Sequence, residues 1–183
     1  MRLVSAPLVE FASETPRGVF ALRTVSVAGD LELVHRWMHA DHVVPYWQQA
    51  WSRARIETYL VDQLDGAASR PCLGWLAGMP ISYWEVYRPS RDPVGDVYDC
   101  DPEDLGVHLL IGEVGLTGRG FGAMLLDGVA TALFRLNPRC TRIVAEPDVR
   151  NAGSIKAFTR AGFVREADVE LPGKTAALMV RSR

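Results

Sequence analysis

Three alternating glycines lie between an apolar, strand-like run and a long amphipathic helical pattern. They belong to the sequence Thr117-Gly118-Arg119-Gly120-Phe121-Gly122. Glycines at this spacing leave backbone amides unshielded, and the N-terminus of the following helix favours an anion such as phosphate. Arg119 adds a positive charge beside those amides. The segment therefore predicts a strand–turn–helix unit that binds phosphate, although the glycines could also serve only to permit a tight turn.

The glycine turn alone does not identify the phosphate-bearing ligand. A P-loop requires Gly-Lys-Ser/Thr at the start of the helix, and this sequence has none. Gly118, Gly120 and Ala123 formally meet the dinucleotide-binding fingerprint. The strands before the turn nevertheless read as an antiparallel meander, without the parallel βαβ unit that a dinucleotide domain needs. The dinucleotide interpretation is therefore disfavoured but stays open.

Hydrophobic periodicity along the rest of the chain predicts alternating strands and helices. We expect strands at 19–25, 72–77, 81–87, 107–111, 142–146, 163–170 and 175–180. We expect helices near 31–38, 56–64, 121–136 and 151–161, with Asp30 as N-cap of the first and Asn151 as N-cap of the last. This order indicates an α/β (α+β) layered fold, in one domain over residues 1–183.

Charge and composition exclude several classes of protein. The 20 basic and 22 acidic residues give a net charge of −2, which argues against a nucleic-acid or membrane-surface partner. No apolar run reaches the roughly 20 residues of a membrane span, and Pro7 and Glu10 interrupt any signal-like stretch. The three cysteines are odd in number and widely spaced, which favours neither disulfides nor a zinc site. We expect a reduced, cytoplasmic protein, either a monomer or a homodimer.

Metal binding is not expected from this sequence. The long segment 88–104 is rich in aspartate but lacks the regular ligand spacing of a calcium loop. His39 and His42 lie close together in the sequence, but no further ligands follow at useful spacing. The segment 88–104 is instead predicted to be a functional or mobile loop.

Two motifs resemble those of the GNAT superfamily of acyl-CoA-dependent N-acyltransferases. The run from Thr117 to Gly122 resembles its pyrophosphate motif, Gln/Arg-x-x-Gly-x-Gly/Ala, and departs from it at Thr117. The second motif, an Asn that opens a helix ending in Gly-Phe, matches Asn151 through Gly162-Phe163. The order of elements agrees over nearly the whole chain. The resemblance implies a mixed central sheet with splayed central strands, flanked by helices, and acyl-CoA bound in the gap between those strands.

A narrower resemblance is to the siderophore-biosynthesis branch of this superfamily. It rests on four stretches, Trp37-Met38-His39-Ala40-Asp41-His42-Val43 with Tyr46-Trp47, Ile81-Ser82-Tyr83-Trp84-Glu85-Val86-Tyr87, Gly106-Val107-His108-Leu109-Leu110-Ile111-Gly112 and Ala145-Glu146-Pro147-Asp148-Val149-Arg150-Asn151. The resemblance implies acylation of the side-chain amine or hydroxylamine of lysine, N6-hydroxylysine or a related diamine. Acetyl-CoA is the favoured donor, with succinyl-CoA or a longer acyl-CoA left open. An aminoglycoside-type N-acetyltransferase and a catalytically degenerate CoA-binding module remain alternatives.

The same resemblance implies a set of acyl-CoA contacts. They are Val114, Thr117, Gly118, Arg119, Gly120, Phe121, Gly122, Asn151, Lys156 and Phe158. Lys156 could equally lie on a solvated helix face. Many GNAT enzymes carry a tyrosine as general acid where this chain has Phe158, which has no proton to give. The thiolate would then leave as such, near a helix N-terminus, or take a proton from water.

His108 and Asp148 are the candidate catalytic residues. Both come near the C-terminal ends of the two strands that are expected to diverge, so they should face one cleft. The resemblance implies that they accept the proton of the amine and orient the substrate. As alternatives, His108 could be a hydrogen-bonded core histidine, and Asp148 could cap the helix entry beside Pro147.

An aromatic set could surround the aliphatic part of an amine substrate. Its members are Trp37, Trp47, Trp51, Tyr83, Trp84 and Tyr87. From these we expect Trp47, Tyr83 and Trp84 to contact the substrate, with Glu85 balancing its positive charge. The aromatic residues could instead form core, with Glu85 paired across the predicted hairpin.

Overall fold

The computed structural model describes residues 6–183, so the start of the N-terminal segment considered above lies outside the described residues. Eight strands form one sheet in the order β1-β2-β3-β4-β5-β6-β8-β7. The strands are β1 (Phe11–Thr15), β2 (Gly18–Thr24), β3 (Ser69–Leu76), β4 (Met79–Tyr87), β5 (Leu105–Ile111), β6 (Arg142–Ala145), β7 (Val164–Leu171) and β8 (Lys174–Ser182). Every neighbouring pair is antiparallel except β5 and β6, which are parallel. The sheet is therefore mixed, as predicted.

Five α-helices cover the two faces of this sheet. They are α1 (Val27–Met38), α2 (Val44–Trp47), α3 (Arg53–Asp65), α4 (Phe121–Leu136) and α5 (Ala152–Arg160). Residues of α4 and α5 pack with one face of the sheet into the larger core, and residues of α1 and α3 pack with the other face into a second core. No helix among residues 6–183 is long and apolar enough to cross a bilayer.

The first helix begins earlier than the sequence predicted. Asp30 does not cap α1, because the helix starts at Val27 and Ser26 is the N-cap residue. Asp30 instead lies one turn inside the helix, where its carboxylate accepts a hydrogen bond of 2.7 Å from the Ser26 amide. It also pairs with Arg23 at 2.7 and 2.8 Å. The Asp30 carboxylate, which lies inside the helix, therefore accepts a hydrogen bond from the backbone amide of the N-cap residue, as in a capping box.

The parallel pair β5 and β6 separates soon after it begins. Only Leu105 with Ile143 and Gly106 with Val144 are paired in this ladder. Beyond these residues the two strands diverge, and the sheet opens toward the start of α5. The predicted splayed central strands are thus confirmed.

The long segment 88–104 is packed against the sheet rather than extended into solvent. It contains two short 3-10 turns, Pro89–Arg91 and Pro93–Asp96, and Val94 is fully buried. At its end the buried Asp104 pairs with Arg142 of β6 at 2.8 Å. The segment therefore forms one wall at the open end of the sheet.

Candidate active site

Two cavities meet where β5 and β6 separate. The glycine-turn cavity has a volume of about 410 Å³ and lies between β5 and the turn at residues 117–122. The acidic cavity has a volume of about 430 Å³ and is lined by the carboxylates of Glu85, Asp92, Glu146 and Asp148. The residues that line both cavities are Tyr46, Trp47, Leu109, Asn151, Ser154 and Phe158. The start of α5 and the end of α2 thus form the junction between them.

Glycine backbone forms one side of the glycine-turn cavity. Gly118 and Gly120 have φ values of +71° and +82°, which side-chain-bearing residues rarely adopt. A Cβ built on either glycine would meet no atom of the described chain within 4 Å, so protein does not fill the turn. Gly120 precedes α4, whose first amides have no helical acceptor. With Lys156 and Arg160 also lining the cavity, this arrangement suits a phosphate group.

Seven of the predicted acyl-CoA contacts line this cavity, namely Thr117, Gly118, Gly120, Gly122, Asn151, Lys156 and Phe158. The side chains of the other three do not. The side chains of Val114 and Arg119 are exposed to solvent. Phe121 points into the core, and the guanidinium of Arg17 lies 4.4 Å from its ring centroid. A ligand contact of Phe121 would therefore be made by its backbone, and the contacts of Val114 and Arg119 stay predictions.

The acidic cavity contains a row of side chains that spans three strands. Glu85 of β4 is paired with His108 of β5 in the antiparallel ladder. Leu105 of β5 is paired with Ile143 of β6. His108 lies three residues after Leu105, and Glu146 lies three residues after Ile143, so the two residues are level in the neighbouring strands. The Glu85 carboxylate therefore contacts Nδ1 of His108 at 3.0 Å, and the Glu146 carboxylate contacts Nε2. Both carboxylates are buried, whereas the His108 side chain is 29% exposed.

Further donors hold the two carboxylates in place. Glu85 Oε1 accepts hydrogen bonds from the hydroxyls of Tyr59 (2.7 Å) and Tyr83 (3.0 Å) and from Nε2 of Gln63 (3.0 Å). Glu146 Oε2 accepts a hydrogen bond of 2.7 Å from the hydroxyl of Tyr87, and its backbone carbonyl accepts one of 2.6 Å from Lys174 Nζ. Each carboxylate is therefore stabilised as an anion.

The contacts within this row shift the pKa values of His108 and Glu146. Burial by itself lowers the pKa of His108, but the charges and hydrogen bonds of Glu146 and Glu85 outweigh it and raise that pKa to about 10. Burial raises the pKa of Glu146, yet the facing His108 brings it down to about 2. This shift favours the protonated imidazole at neutral pH. An imidazolium has no free lone pair, so the shift does not favour the proton-acceptor role of His108, which stays a prediction.

Asp148 lines the same cavity as His108 but does not contact it. Its carboxylate is paired with Arg150 at distances between 2.6 and 3.1 Å and also accepts a hydrogen bond from the Arg150 amide. The hydrogen bond from Arg150 lowers the pKa of Asp148 to about 2. Asp148 thus fixes the turn that leads into α5 and presents a negative charge to the cavity.

The aromatic residues divide between the cavity and the core. Trp47 lines both cavities, and its ring lies 6.1 Å from that of His108 and 5.7 Å from that of Tyr83. Tyr83 is fully buried below Glu85 and supports it. Trp84 is not a cavity residue, contrary to the prediction, because strand alternation places it on the opposite face of the sheet. Its indole N–H donates to Ser82 at 2.9 Å.

Glu146, Tyr59, Gln63 and Lys174 are site residues that the sequence did not predict. Glu146 ends a predicted strand and lies in the stretch 145–151, and a carboxylate directly after the buried run Ile143–Ala145 is an unusual feature. Tyr59 and Gln63 lie one helical turn apart on α3, so a shared face was visible, but its target was not. No cluster of histidine, cysteine, aspartate and glutamate in residues 6–183 is arranged to hold a metal ion.

Comparison with known proteins agrees with this geometry. A family model described as an acetyltransferase (GNAT) domain matches residues 26–171. The lysine N-acyltransferase MbtK of Mycobacterium sp. (strain MCS) is 36% identical over 171 residues, which are 92% of this chain and 68% of that protein. The N(6)-hydroxylysine O-acetyltransferase of Escherichia coli is 29% identical over 91% of this chain, which spans about half (53%) of that protein.

A solved structure with a bound coenzyme is also similar. The aminoglycoside acetyltransferase AAC(6')-Ib in complex with coenzyme A superposes with a TM-score of 0.82 and 28% identity, over 90% of this chain and 95% of that one. The mixed sheet flanked by helices agrees with this structural match. The chain belongs to the GNAT acetyltransferase family, and it transfers an acyl group from acyl-CoA to an amine nitrogen.

Proposed function

We propose that this enzyme acylates the side-chain nitrogen of lysine, N6-hydroxylysine or a related diamine during hydroxamate siderophore assembly. The observation that carries the proposal is the acidic cavity, which joins the glycine-turn cavity at the point where the strands separate. The names of the relatives support it, since one acts on lysine and another on N(6)-hydroxylysine. The fused cavities would bring an acyl donor and a nitrogen acceptor together.

The glycine-turn cavity is proposed to hold the acyl-CoA, with acetyl-CoA as the favoured donor. When bound, acyl-CoA would supply the thioester: its C–S bond breaks as the new C–N bond forms, and the proton lost by the nitrogen ends on the released sulfur, directly or through water, to give the CoA thiol. The amides at Gly118, Gly120 and Gly122 and the ammonium of Lys156 would hold its phosphates. Asn151 lies at the junction and would contact the pantetheine arm.

The acidic cavity is proposed to hold the acceptor. Four carboxylates and several basic side chains line it, so it suits an acceptor whose nitrogen forms hydrogen bonds. Trp47 would cover the aliphatic chain of the acceptor at the junction, and Asp148 would orient its polar end. Arg91 and Lys174 line the same cavity and would suit an acceptor that also carries a carboxylate. We place the enzyme in the cytoplasm, as a single-domain monomer or homodimer.

A thiol-release assay tests the proposal. Acetyl-CoA and succinyl-CoA are each combined with lysine, N6-hydroxylysine, N-hydroxycadaverine and kanamycin. We expect turnover with at least one of the first three acceptors and little with kanamycin. Preferred turnover of kanamycin would favour an aminoglycoside acetyltransferase. Binding of CoA without turnover of any acceptor would favour a degenerate CoA-binding module.

An Asp148→Asn variant sharpens the assay. The substitution removes the charge and keeps the size of the side chain, so we expect the KM for the acceptor to rise about tenfold or more with CoA affinity retained. Glu166→Gln is a matched control, since Glu166 is an exposed carboxylate on β7, away from both cavities.

A further inference from the structure

A directed chain of hydrogen bonds runs from the cavity junction to Glu85. The indole N–H of Trp47 donates to Oε1 of Gln49 at 3.0 Å, and an indole N–H can only donate. This contact fixes the orientation of the Gln49 amide, whose Nε2 then donates to the hydroxyl of Tyr59 at 3.2 Å. The Tyr59 hydroxyl must therefore donate its own proton to Glu85, at 2.7 Å.

The remaining contacts of Glu85 show that it is ionised. Three donors, from Tyr59, Tyr83 and Gln63, converge on Oε1, which is more than the two lone pairs of a neutral carbonyl oxygen accept comfortably. The other oxygen, Oε2, faces Nδ1 of His108 at 3.0 Å. Since imidazole is more basic than a carboxylic acid by about two pH units, the proton in this contact belongs to Nδ1.

The same reasoning applies to the opposite side of His108. Glu146 accepts from the hydroxyl of Tyr87 and has the ammonium of Lys174 at 3.7 Å, so it too is an anion that faces Nε2. The other groups packed around the imidazole do not reverse this. The ring of Tyr87 lies 4.7 Å away, Trp47 is uncharged, and Asp92 adds a further negative charge from the segment 88–104. Both ring nitrogens of His108 therefore donate.

We propose that Glu85 and Glu146 are positioning residues that keep His108 doubly protonated, so that the enzyme accepts only an acceptor nitrogen that arrives uncharged. This inference rests on the proposed function and selects among its substrates. A lysine-type amine with a pKa near 10.4 is uncharged in only about one molecule in a few thousand at pH 7. An N-hydroxylated amine is much less basic and arrives neutral. The geometry thus selects N-hydroxylamines, and an amine N-hydroxylation must precede this step.

The charge of His108 is tested first, by ¹⁵N NMR of the imidazole groups. The chain has four histidines, so the His108 signal is assigned by comparison with a His108→Gln variant. We expect His108 to stay doubly protonated between pH 6 and pH 8.5. In Glu85→Gln, where one carboxylate is lost, we expect its pKa to fall by about one to three units. Tyr59→Phe keeps the carboxylate and should shift the pKa far less. A neutral His108 in the wild type at pH 7 overturns the inference.

The selection of the acceptor is tested by kinetics with lysine and N6-hydroxylysine. For lysine we expect kcat/KM to rise about tenfold per pH unit between pH 7 and 9, following the uncharged amine. For N6-hydroxylysine we expect a flat profile over this range. In Glu85→Gln at pH 8.5, where the His108 of the variant is partly neutral, the preference for N6-hydroxylysine should be smaller than in the wild type at the same pH, because a neutral His108 can accept a proton. The ratio of the two substrates cancels any general loss of activity.

The experiments distinguish failure of this inference from failure of the proposed function. A flat pH profile for lysine together with equal rates for the two acceptors overturns the inference and leaves the proposed function standing. An unchanged preference in a folded Glu85→Gln enzyme also overturns it. No turnover with either acceptor overturns the proposed function, and this inference with it.

Discussion

The two cavities at the β5–β6 split are formed mainly by different parts of the chain. The glycine-turn cavity is lined by the glycine-rich stretch 117–122, by residues of α4 and α5, and by residues of β5 and α2. The acidic cavity is lined by side chains from five strands, from α3 and from the segment 88–104. The first depends on local backbone conformation, and the second depends on strand register. The two cavities should therefore respond differently to substitution.

The sharpest test of this difference is His108→Ala. It leaves two buried carboxylates facing each other without the cation between them, which costs about 3–5 kcal/mol when one partner of a buried pair is removed. We expect kcat/KM to fall by about two to three orders of magnitude, because a charged hydrogen-bond donor is lost from the acceptor site, with acyl-CoA affinity retained. Urea unfolding, calorimetric CoA titration and the thiol-release assay measure the three effects. His39→Ala, at an exposed position, is the control.

Gly120→Ala should affect the other cavity instead. A residue other than glycine at φ +82° costs about 1–2 kcal/mol, and the added methyl group would occupy space that is open at the turn. We expect the dissociation constant for CoA to rise about tenfold, which corresponds to about 1.4 kcal/mol. Gly128→Ala, in the same helix, adds a methyl group in open space and should stabilise the protein by about 0.5–1 kcal/mol. Equal CoA affinity in the two variants would contradict a backbone-built phosphate site.

Substitution of two tryptophans should give opposite effects, because Trp84 lies in the core and Trp47 lines both cavities. Trp84→Phe should lower the free energy of unfolding by about 1–3 kcal/mol, because the fully buried indole leaves a void and Ser82 loses its donor. Its KM for the acceptor should not change. Trp47→Phe should raise that KM several-fold and change stability less. The reverse pattern would contradict the assignment of the two residues to opposite faces of the sheet.

The smallest expected effect is that of Lys156→Gln. Lys156 lines the glycine-turn cavity, where its ammonium would meet phosphate in a solvated setting. We expect the dissociation constant for CoA to rise about two- to fivefold at low ionic strength and the difference to vanish at high salt. A salt-independent loss of affinity would instead indicate a packing role for the lysine stem.

The local parts of the molecule could be predicted from the sequence. The helix α5 with its Asn151 cap and the turn before α4 each depend on residues adjacent in the chain. The start of α1 was misplaced because Ser26 and Asp30 are both plausible capping residues, and only the contact with Arg23 decides between them.

The acidic row could be predicted only in part. His108 was found from its unusual place in an apolar strand, and Glu85 from its neighbours. Glu146 was missed because its contact with His108 requires the parallel register of Leu105 with Ile143, which no local pattern reveals. Trp84 was misassigned because β4 is buried on both faces, so its sequence does not show which side faces the cavity.

The early end of the β5–β6 ladder has a consequence for association with other chains. From Val107 onward, β5 presents an open hydrogen-bonding edge in the middle of the sheet rather than at its border. Such edges normally invite another protein strand to add to them and so promote aggregation. Here the edge lines the glycine-turn cavity together with residues of α2 and α5. A ligand bound in that cavity would cover the open edge and take the place of an added strand.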